Sequence, residues 1–528
     1  MRGKTVCAVS RLEDQGAAGS SARLRLNKAM RLAAVAAALF LFGISALGVA
    51  GASNFILPKF LVFPDPDGAF ATVNLGGATD TSTNPFFMDM GSNGRRCVTC
   101  HQPSDAWSVT PPHLQARFDA THGTDPIFRP VDGAGCPTAD VSTPESRRKA
   151  YSLLLSRGLI RVGIAVPATA DYKVMTVNNP YGCSQTDSIS MYRRPLPTTN
   201  LPFLSSVMWD GRESSPVNGT TKIVYDSYPT SLQSDLAHQS MDATVGHAQG
   251  DGSRPTPAEQ QQIVDFEMKL FTSQLLDNRA GLLNADGAHG GPGALATQPF
   301  FISKNSSVHF LLPTFEQPGG LDTPGDGKFT SNIFNMFDSW SDLPYRDPRA
   351  AVARGQKLFN SLPIDITDVA GINDDVAAGG LVSGGMASLQ GTCGTCHDSP
   401  NVGNHSFPTP LNIGTGDPSP SSPFVNLGGL DVSYLPLITV CKTDPATGLA
   451  SNNCKTTTDL GQALIDGKFD HVGKIKGPVL RGLSGRAPYF HNGSAATLMD
   501  VVNFYDTRFH LNLSDREKND LVAFLKTL

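Results

Sequence analysis

The sequence lacks an excess of charge of either sign. Its 42 lysines and arginines stand against 47 aspartates and glutamates, giving a formal net charge of -5. Without a basic surplus, the composition gives no indication of a nucleic acid or an acidic membrane surface as partner. The sequence also lacks an internal repeat of solenoid length, and only one short motif recurs. These absences favour an ordinary globular protein of several domains.

Segments with the alternating pattern of a half-buried strand are scarce as well. The chain contains 52 glycines and 38 prolines, a content that indicates long loops rather than idealised layers. Patterns of amphipathic helices are clearer at several points. We therefore expect a mainly α fold with long irregular loops.

One long apolar run lies near the N-terminus, from Leu32 to Ala52, and it carries no charge. Ala50-Gly51-Ala52 has the small-x-small pattern of a signal-peptidase site. A run of 21 residues is also long enough to cross a bilayer. Residues 1–52 are therefore a signal peptide or an N-terminal anchor, and a membrane is a partner only if the segment is retained. The basic residues that precede the run are Arg23, Arg25, Lys28 and Arg31.

The recurring motif is CxxCH, at Cys97-Val98-Thr99-Cys100-His101 and Cys393-Gly394-Thr395-Cys396-His397. Two thiols at this spacing reach the two vinyl groups of a porphyrin, and the adjacent histidine reaches the iron. A CxxC pair also occurs in redox disulfides and zinc sites. Two copies, each followed by histidine, favour two covalently bound haem c groups with His101 and His397 as iron ligands.

The remaining cysteines suggest disulfides. Of the nine, four belong to the motifs and Cys7 precedes the apolar run. An even number then remains in a chain that we expect to be exported, which favours two disulfides over buried free thiols. Cys441 and Cys454 flank a short loop and are paired, which leaves Cys136 for Cys183.

The motifs divide the chain into an N-terminal haem domain (53–278), a Gly/Pro-rich connector (279–347) and a C-terminal cytochrome c domain (348–528). The first domain is predicted to end in a helix capped by Thr256 and Glu259, with one apolar face. A helix over Ala350 to Phe359 opens the second domain, and a helix capped by Ser514 closes it. The face of the first helix comprises Val264, Met268, Phe271 and Leu275.

Spacing alone does not identify the sixth ligand of either iron. Any one of the candidate histidines is more often a surface or hydrogen-bonded residue than a ligand. Met499 is a further candidate in the C-terminal domain. The candidate histidines are His113, His122, His238, His247, His405 and His491.

Three strings beyond the motifs carry a family resemblance. They are Met208-Trp209-Asp210-Gly211-Arg212, Leu480-Arg481-Gly482 and Ala487-Pro488-Tyr489-Phe490-His491-Asn492-Gly493-Ser494. With the two CxxCH motifs, this order resembles the bacterial di-haem cytochrome c peroxidase superfamily, which includes the MauG-type enzymes. The resemblance covers both haem domains but not the connector. It implies two c-type cytochrome domains.

The resemblance implies roles for individual residues. The tryptophan of the WDGR string lies between the haems in that superfamily and carries electrons, which implies this role for Trp209 instead of that of a core tryptophan. The sixth ligand of the C-terminal haem lies after the PYFH string, being methionine in classical peroxidases and tyrosine in MauG-type enzymes. Aligning this segment places Tyr505 at the ligand position, with Met499 and a plain core aromatic as the alternatives.

Members of the superfamily also carry a distal glutamine and glutamate after WDGR. The segment ending in Gln239 resembles the glutamine segment, whereas His247 lies near the position of the glutamate. His247 is therefore a distal base, a sixth ligand that closes the site, or neither. The superfamily also has a calcium site between its domains, so calcium is a candidate cofactor, although the asparagine ligand has no clear counterpart here.

The expected function is that of an exported, periplasmic di-haem oxidoreductase. It would reduce hydrogen peroxide or use it to oxidise a substrate, with Trp209 passing electrons between the haems. The implied partners are hydrogen peroxide and a small periplasmic electron donor, either a cytochrome or a cupredoxin. The alternative is a periplasmic electron-transfer cytochrome with both irons six-coordinate and no peroxidase activity.

Overall fold

The computed structural model describes residues 55–204, 206–214, 230–298, 334–375, 377, 380, 383–397, 399–403 and 410–528. The predicted signal peptide or anchor, residues 1–52, lies outside these described residues. Within them, no helix combines the length and apolar character needed to cross a bilayer.

The helices are short, and many begin with a proline in the first turn. In chain order they are α1 (Cys97–Cys100), α2 (Pro111–Thr121), α3 (Pro144–Ala150), α4 (Ser152–Arg157), α5 (Thr230–Gly246), α6 (Pro257–Glu267), α7 (Pro292–Leu295), α8 (Pro348–Ser361), α9 (Cys393–Cys396), α10 (Ala463–Asp466), α11 (Leu498–Phe509) and α12 (Asp515–Leu525). Proline suits this position because the first helical N–H groups have no partner within the helix.

Strands are far more frequent than the sequence indicated. They are β1 (Ile56–Leu57), β2 (Phe60–Asp65), β3 (Gly68–Asn74), β4 (Thr79–Asp80), β5 (Ile160–Ala165), β6 (Tyr172–Asn178), β7 (Ser188–Arg193), β8 (Leu270–Asp277), β9 (Gly281–Leu282), β10 (Ile364–Ile366), β11 (Leu389–Gly391), β12 (Pro418–Ser419), β13 (Ser422–Asn426), β14 (Leu437–Thr443) and β15 (Ala450–Thr457).

Of the described residues, 29% are helical and 21% are extended strand, so the prediction of a mainly α fold is wrong. The strands form several small antiparallel sheets, the larger ones ordered β2-β3-β8-β9 and β15-β14-β6. Both faces of β3 and β8 are largely buried. A strand buried on both faces loses the apolar–polar alternation by which strands are recognised, which explains the error.

The helix predicted to close the N-terminal domain shows the same error locally. Thr256 caps α6 and Glu259 completes the capping box, as predicted. However, α6 ends at Glu267, and the segment with Phe271 and Leu275 forms β8, paired with β3. The apolar spacing fitted a helix, but pairing with β3 and burial of both faces determine the conformation.

The C-terminal half is built on two crossing helices that the sequence predicted. Ser514 caps α12 with Glu517 as its capping-box partner, and α8 spans the predicted Ala350–Phe359 segment. A side chain added at Gly355 of α8 would lie 1.9 Å from the carbonyl oxygen of Asp520 in α12. Glycine therefore permits the close contact between these helices, and Arg354 pairs with Asp520 beside it at 2.7 Å.

The described ends of the connector are packed against this helix pair. Phe334, Phe337 and Trp340 are buried in the same apolar cluster as Phe524 of α12. The backbone N–H of Phe337 donates to the side-chain oxygen of Gln356 at 2.9 Å. The glycine and proline content of 279–347 did not indicate this contribution to a core.

Two features join and brace the halves of the chain. The N-terminal strand β6 pairs along β14, which belongs to the C-terminal half. Both predicted disulfides are present, Cys136–Cys183 and Cys441–Cys454, and the second links β14 to β15. The halves therefore share a sheet.

Candidate haem sites

The first CxxCH motif borders a cavity. Cys97 and Cys100 lie one turn apart on α1, and together with His101 they line this cavity. Nδ1 of His101 donates to the carbonyl oxygen of Trp107 at 3.2 Å, which leaves Nε2 for a metal. Burial lowers the pKa of His101 to about 4, so the ring is neutral, as a ligand must be.

The second motif repeats this arrangement around another cavity. Cys393 and Cys396 lie on the single turn α9, and both line the cavity with His397. Nδ1 of His397 donates to the carbonyl oxygen of Val402 at 3.0 Å. Nδ1 of each motif histidine is therefore held by a backbone carbonyl group, which leaves each Nε2 for a metal.

These two sites fit haem c. The four motif cysteines are outside the disulfides, and each pair shares a largely apolar cavity with its histidine. Within the described residues, neither motif takes part in a cluster of three or more histidine, cysteine or carboxylate ligands. A zinc site or a redox disulfide therefore suits the motifs less well than a porphyrin does.

Trp209 lies where the two cavities approach each other, and it lines both. Its indole N–H donates to the carbonyl oxygen of Arg194 at 2.7 Å, and Arg194 also borders both cavities. The ring packs edge-on against His491, with the ring centres 6.0 Å apart. The predicted electron-carrying residue is thus in contact with both candidate haem sites, whereas its role stays a prediction.

A buried ionic network holds the Trp209 loop. Asp210 pairs with Arg193 at 2.5 Å, and Arg193 also pairs with Asp459 of the C-terminal half at 2.7 Å. Burial alone would raise the pKa of Asp210, but the charges of Arg212 and Arg193 outweigh it and lower that pKa. Asp210 of the WDGR string and Arg193 thereby fix the loop against both halves of the molecule.

Trp209 and His491 occupy equivalent positions in two similar loops. One loop is closed by an isolated bridge between Val207 and Glu213, the other by a bridge between Tyr489 and Ala495. In each, the residue before the ring has positive φ, 66° at Met208 and 65° at Phe490. The two rings are thus presented from the two halves toward the same junction, an arrangement that the sequence analysis missed.

Gln239 and His247 both line the N-terminal cavity, so the structure brings the predicted distal residues together. Gln239 lies on α5 and His247 directly follows this helix. Nδ1 of His247 is 2.6 Å from a carboxylate oxygen of Asp132, which is buried. Asp132 in turn pairs with Arg95 at 2.5 Å, two residues before Cys97.

Glu267, at the end of α6, is a further residue of this cavity that the sequence analysis missed. Its side chain is 4% exposed, and one carboxyl oxygen has no hydrogen-bond partner among the described residues. Burial raises its pKa to about 8. A glutamate three residues after Val264, on the apolar side of an amphipathic helix, was the available signal.

Tyr505 lines the C-terminal cavity from α11, as the resemblance predicted. Met499 is on the same helix but does not border the cavity. His491 does, and its Nε2 has no hydrogen-bond partner among the described residues, although Asp459 lies 3.9 Å away. Tyr505 and His491 are therefore the side chains best placed to reach this iron, and ligation stays a prediction.

The other candidate histidines lie elsewhere. His113 pairs with Asp105, His122 ends α2, and His238 pairs with Glu213 at 2.8 Å. None of these three borders either cavity. His405 lies outside the described residues.

The predicted calcium ion finds no clear site within the part of the chain that is described. One three-residue cluster there, Glu213, His238 and Asp242, places its ligand atoms within 4.8 Å of one another. Calcium prefers oxygen ligands only, so an imidazole in the set suits it poorly. Calcium stays a prediction.

The sequence is similar to curated cytochrome-c peroxidases. It is 31% identical to cytochrome-c peroxidase IdrP2 of Pseudomonas sp. (strain SCT) over 193 residues, covering 33% of this chain and 49% of that protein. It is 40% identical to IdrP2 of Denitromonas iodatirespirans over 90 residues, covering 16% and 24% respectively. The chain thus spans about half or less of the length of the curated relatives it matches. No protein-family model matches it. The similarity supports a relationship to cytochrome c peroxidases and does not distinguish a MauG-type branch.

Proposed function

We propose that this protein is an exported di-haem c-type oxidoreductase that reacts with hydrogen peroxide at its N-terminal haem. Electrons pass between this haem and the C-terminal haem through Trp209. The observation that carries the proposal is that Trp209 lines both cavities bordered by CxxCH motifs. The similarity to proteins named cytochrome-c peroxidase supports the same chemistry.

The residues have distinct tasks in this proposal. Cys97 and Cys100 hold the first haem covalently, and His101 binds its iron; the second motif does the same for the second haem. Bound haem supplies a redox-active iron and a coordination position for peroxide. Gln239 orients peroxide by hydrogen bonding, and the indole of Trp209 carries electrons across the junction.

The C-terminal site has a relay role. Tyr505 would be its sixth ligand, because it lines the same cavity as His397. A tyrosine oxygen is a hard anionic ligand that favours the ferric and higher states, whereas methionine would raise the potential. This ligand set favours storage of oxidising equivalents and substrate oxidation, as in MauG-type enzymes, over simple peroxide removal.

The proposed location is the periplasm. Two disulfides support an oxidising compartment. A small periplasmic cytochrome or cupredoxin is the proposed electron donor, because peroxide reduction consumes two electrons per molecule and turnover therefore needs a separate donor.

A second candidate function is that of an electron-transfer cytochrome without peroxidase activity. The observation that favours it is that His247 lines the same cavity as His101. If both imidazoles bind the iron, that haem is six-coordinate and closed to peroxide.

One spectroscopic experiment separates the two functions. The ferric and half-reduced holoprotein is titrated with cyanide and with stoichiometric hydrogen peroxide while absorption spectra are recorded. Under the proposed function, cyanide shifts the spectrum of one haem, and peroxide converts the protein to a higher oxidation state. If neither the cyanide shift nor the peroxide reaction occurs in the ferric or in the half-reduced protein, the electron-transfer cytochrome is favoured.

A further inference from the structure

We propose that Asp132 is the positioning residue that makes His247 the proton carrier of the N-terminal haem pocket. The inference rests on the proposed function for its chemistry. Its geometry is independent of that function: a buried carboxylate 2.6 Å from Nδ1 of a histidine that borders the cavity.

The hydrogen bond fixes the tautomer of His247. Burial alone would raise the pKa of Asp132, but the hydrogen bond from His247 and the charge of Arg95 keep that pKa below its ordinary value. The carboxylate is therefore ionised and accepts hydrogen bonds only, so Nδ1 carries the proton. When the ring is neutral, Nε2 then has a free lone pair, as a base requires.

The backbone around His247 is held as well. Its carbonyl oxygen accepts hydrogen bonds from Asn93 at 2.8 Å and from Arg95 at 3.1 Å. Arg95 also donates to the carbonyl oxygen of Pro126 at 2.8 Å. Because Arg95 stands two residues before Cys97, these contacts tie His247 and Asp132 to the haem attachment segment. Preorganisation of this kind is what general acid–base groups need.

The proton transfer is balanced. Nε2 of His247 accepts a proton from one oxygen of hydrogen peroxide and returns it to the other, which leaves as water when the O–O bond breaks. His247 ends unchanged. Complete reduction to two water molecules takes two electrons from the donor protein and two further protons from solvent. Asp132 stays ionised throughout and stabilises the transient imidazolium, as the carboxylate does in a serine protease triad.

The test uses the holoprotein, three single variants, and the double variant that combines Asp132→Asn with His247→Ala. Asp132→Asn presents an amide that donates to Nδ1 and so moves the ring proton to Nε2, removing the base. His247→Ala removes the base directly and leaves the Arg95–Asp132 pair in place, so it serves if the first variant does not fold. Asp125→Asn is the matched control, because Asp125 forms a similarly buried pair with Arg117 at 2.5 Å, and neither residue lines the cavity.

Two rates are measured by stopped-flow absorption. One is the reaction with hydrogen peroxide, and the other is association of cyanide, which must lose a proton from hydrogen cyanide before it binds iron. We expect both rates to fall by about 100-fold or more in Asp132→Asn and His247→Ala. We expect no change in Asp125→Asn and no further loss in the double variant.

Two results would overturn the inference. Wild-type rates in Asp132→Asn or in His247→Ala remove the proton-carrying role. Faster rates in His247→Ala, with a low-spin resting spectrum becoming high-spin, identify His247 as a blocking ligand. If the wild-type protein binds cyanide but does not react with peroxide, the proposed function fails while the cyanide rates still decide the role of Asp132.

Discussion

The two candidate haem pockets hold their motif histidines in the same way and differ in the polar side chains that border them. In each, a one-turn helix supplies two thiols, and a backbone carbonyl holds Nδ1 of the proximal histidine. The N-terminal cavity is bordered by groups that hold or move protons, Gln239, Ser240, Thr244, His247 and Glu267. The C-terminal cavity is bordered mainly by aliphatic side chains, among them Ile364, Ile366, Val369, Ile372 and Leu411.

Under the proposed function, this difference explains how the work is divided between the two pockets. Peroxide reduction needs proton transfer, so it belongs in the pocket that His247 and Glu267 line. An apolar pocket around a buried haem excludes water and suits electron transfer, since little solvent reorganises when the charge changes. Trp209 and His491 meet where the two environments adjoin.

The strongest way to test the division is to remove one haem at a time. Cys393→Ala with Cys396→Ala, and Cys97→Ala with Cys100→Ala, should each halve the haem retained after acid-acetone extraction. Only the second pair should abolish the reaction with peroxide. Unchanged haem content contradicts the attachment sites, and equal loss of peroxide reactivity in both variants contradicts the division of roles.

A second test targets the junction. Trp209→Phe should leave both haems and their ligand spectra intact, because phenylalanine fills most of the site, but transfer of oxidising equivalents between the haems should slow. Trp340→Phe is the matched control, since Trp340 is fully buried and borders neither cavity. Equal stopped-flow rates in wild type and Trp209→Phe would remove Trp209 from the pathway.

A third test concerns the ligand that distinguishes the C-terminal pocket. Tyr505→Phe should alter the low-spin ferric signal in electron paramagnetic resonance without loss of haem. Tyr489→Phe is the control, because Tyr489 borders the same cavity while its hydroxyl donates to the carbonyl oxygen of Leu483 at 3.1 Å. If Tyr505→Phe has the wild-type signal, the corresponding His491 variant is the next to measure.

The sequence predicted those parts of the fold that local chemistry determines. The caps of α6 and α12 depend on residues within one turn of each other, and both CxxCH motifs are equally local. It failed at β8, where burial of both faces removes the alternation of a strand.

The residues of the candidate site were likewise predicted only in part. The family resemblance identified four residues that line the cavities: Trp209, Gln239, His247 and Tyr505. Asp132 was missed because it precedes His247 by 115 residues, and only the folded chain brings them together. Contacts at such separation have no local sequence signal.

The smallest predicted effect concerns Glu267, the buried carboxyl that has no counterpart in the C-terminal pocket. Its pKa is about 8 in the folded protein against 4.5 ordinarily. Between these values the folded state holds a proton that the unfolded state has released, so rising pH favours unfolding. The free energy of unfolding should fall by at most about 1.4 kcal/mol per pH unit over this window, with no contribution below it.

Glu267→Gln should remove this slope, measured by denaturant unfolding of the holoprotein from pH 5 to pH 8, about the window itself. Because the amide brings its own unpaired groups, the slopes are compared and not the absolute stabilities. Glu145→Gln, at an exposed position in α3, is the control and should keep the wild-type slope. A Glu267→Gln slope equal to that of wild type would mean that Glu267 is ionised in the folded pocket, and that the polarity of the two haem sites differs less than their lining residues indicate.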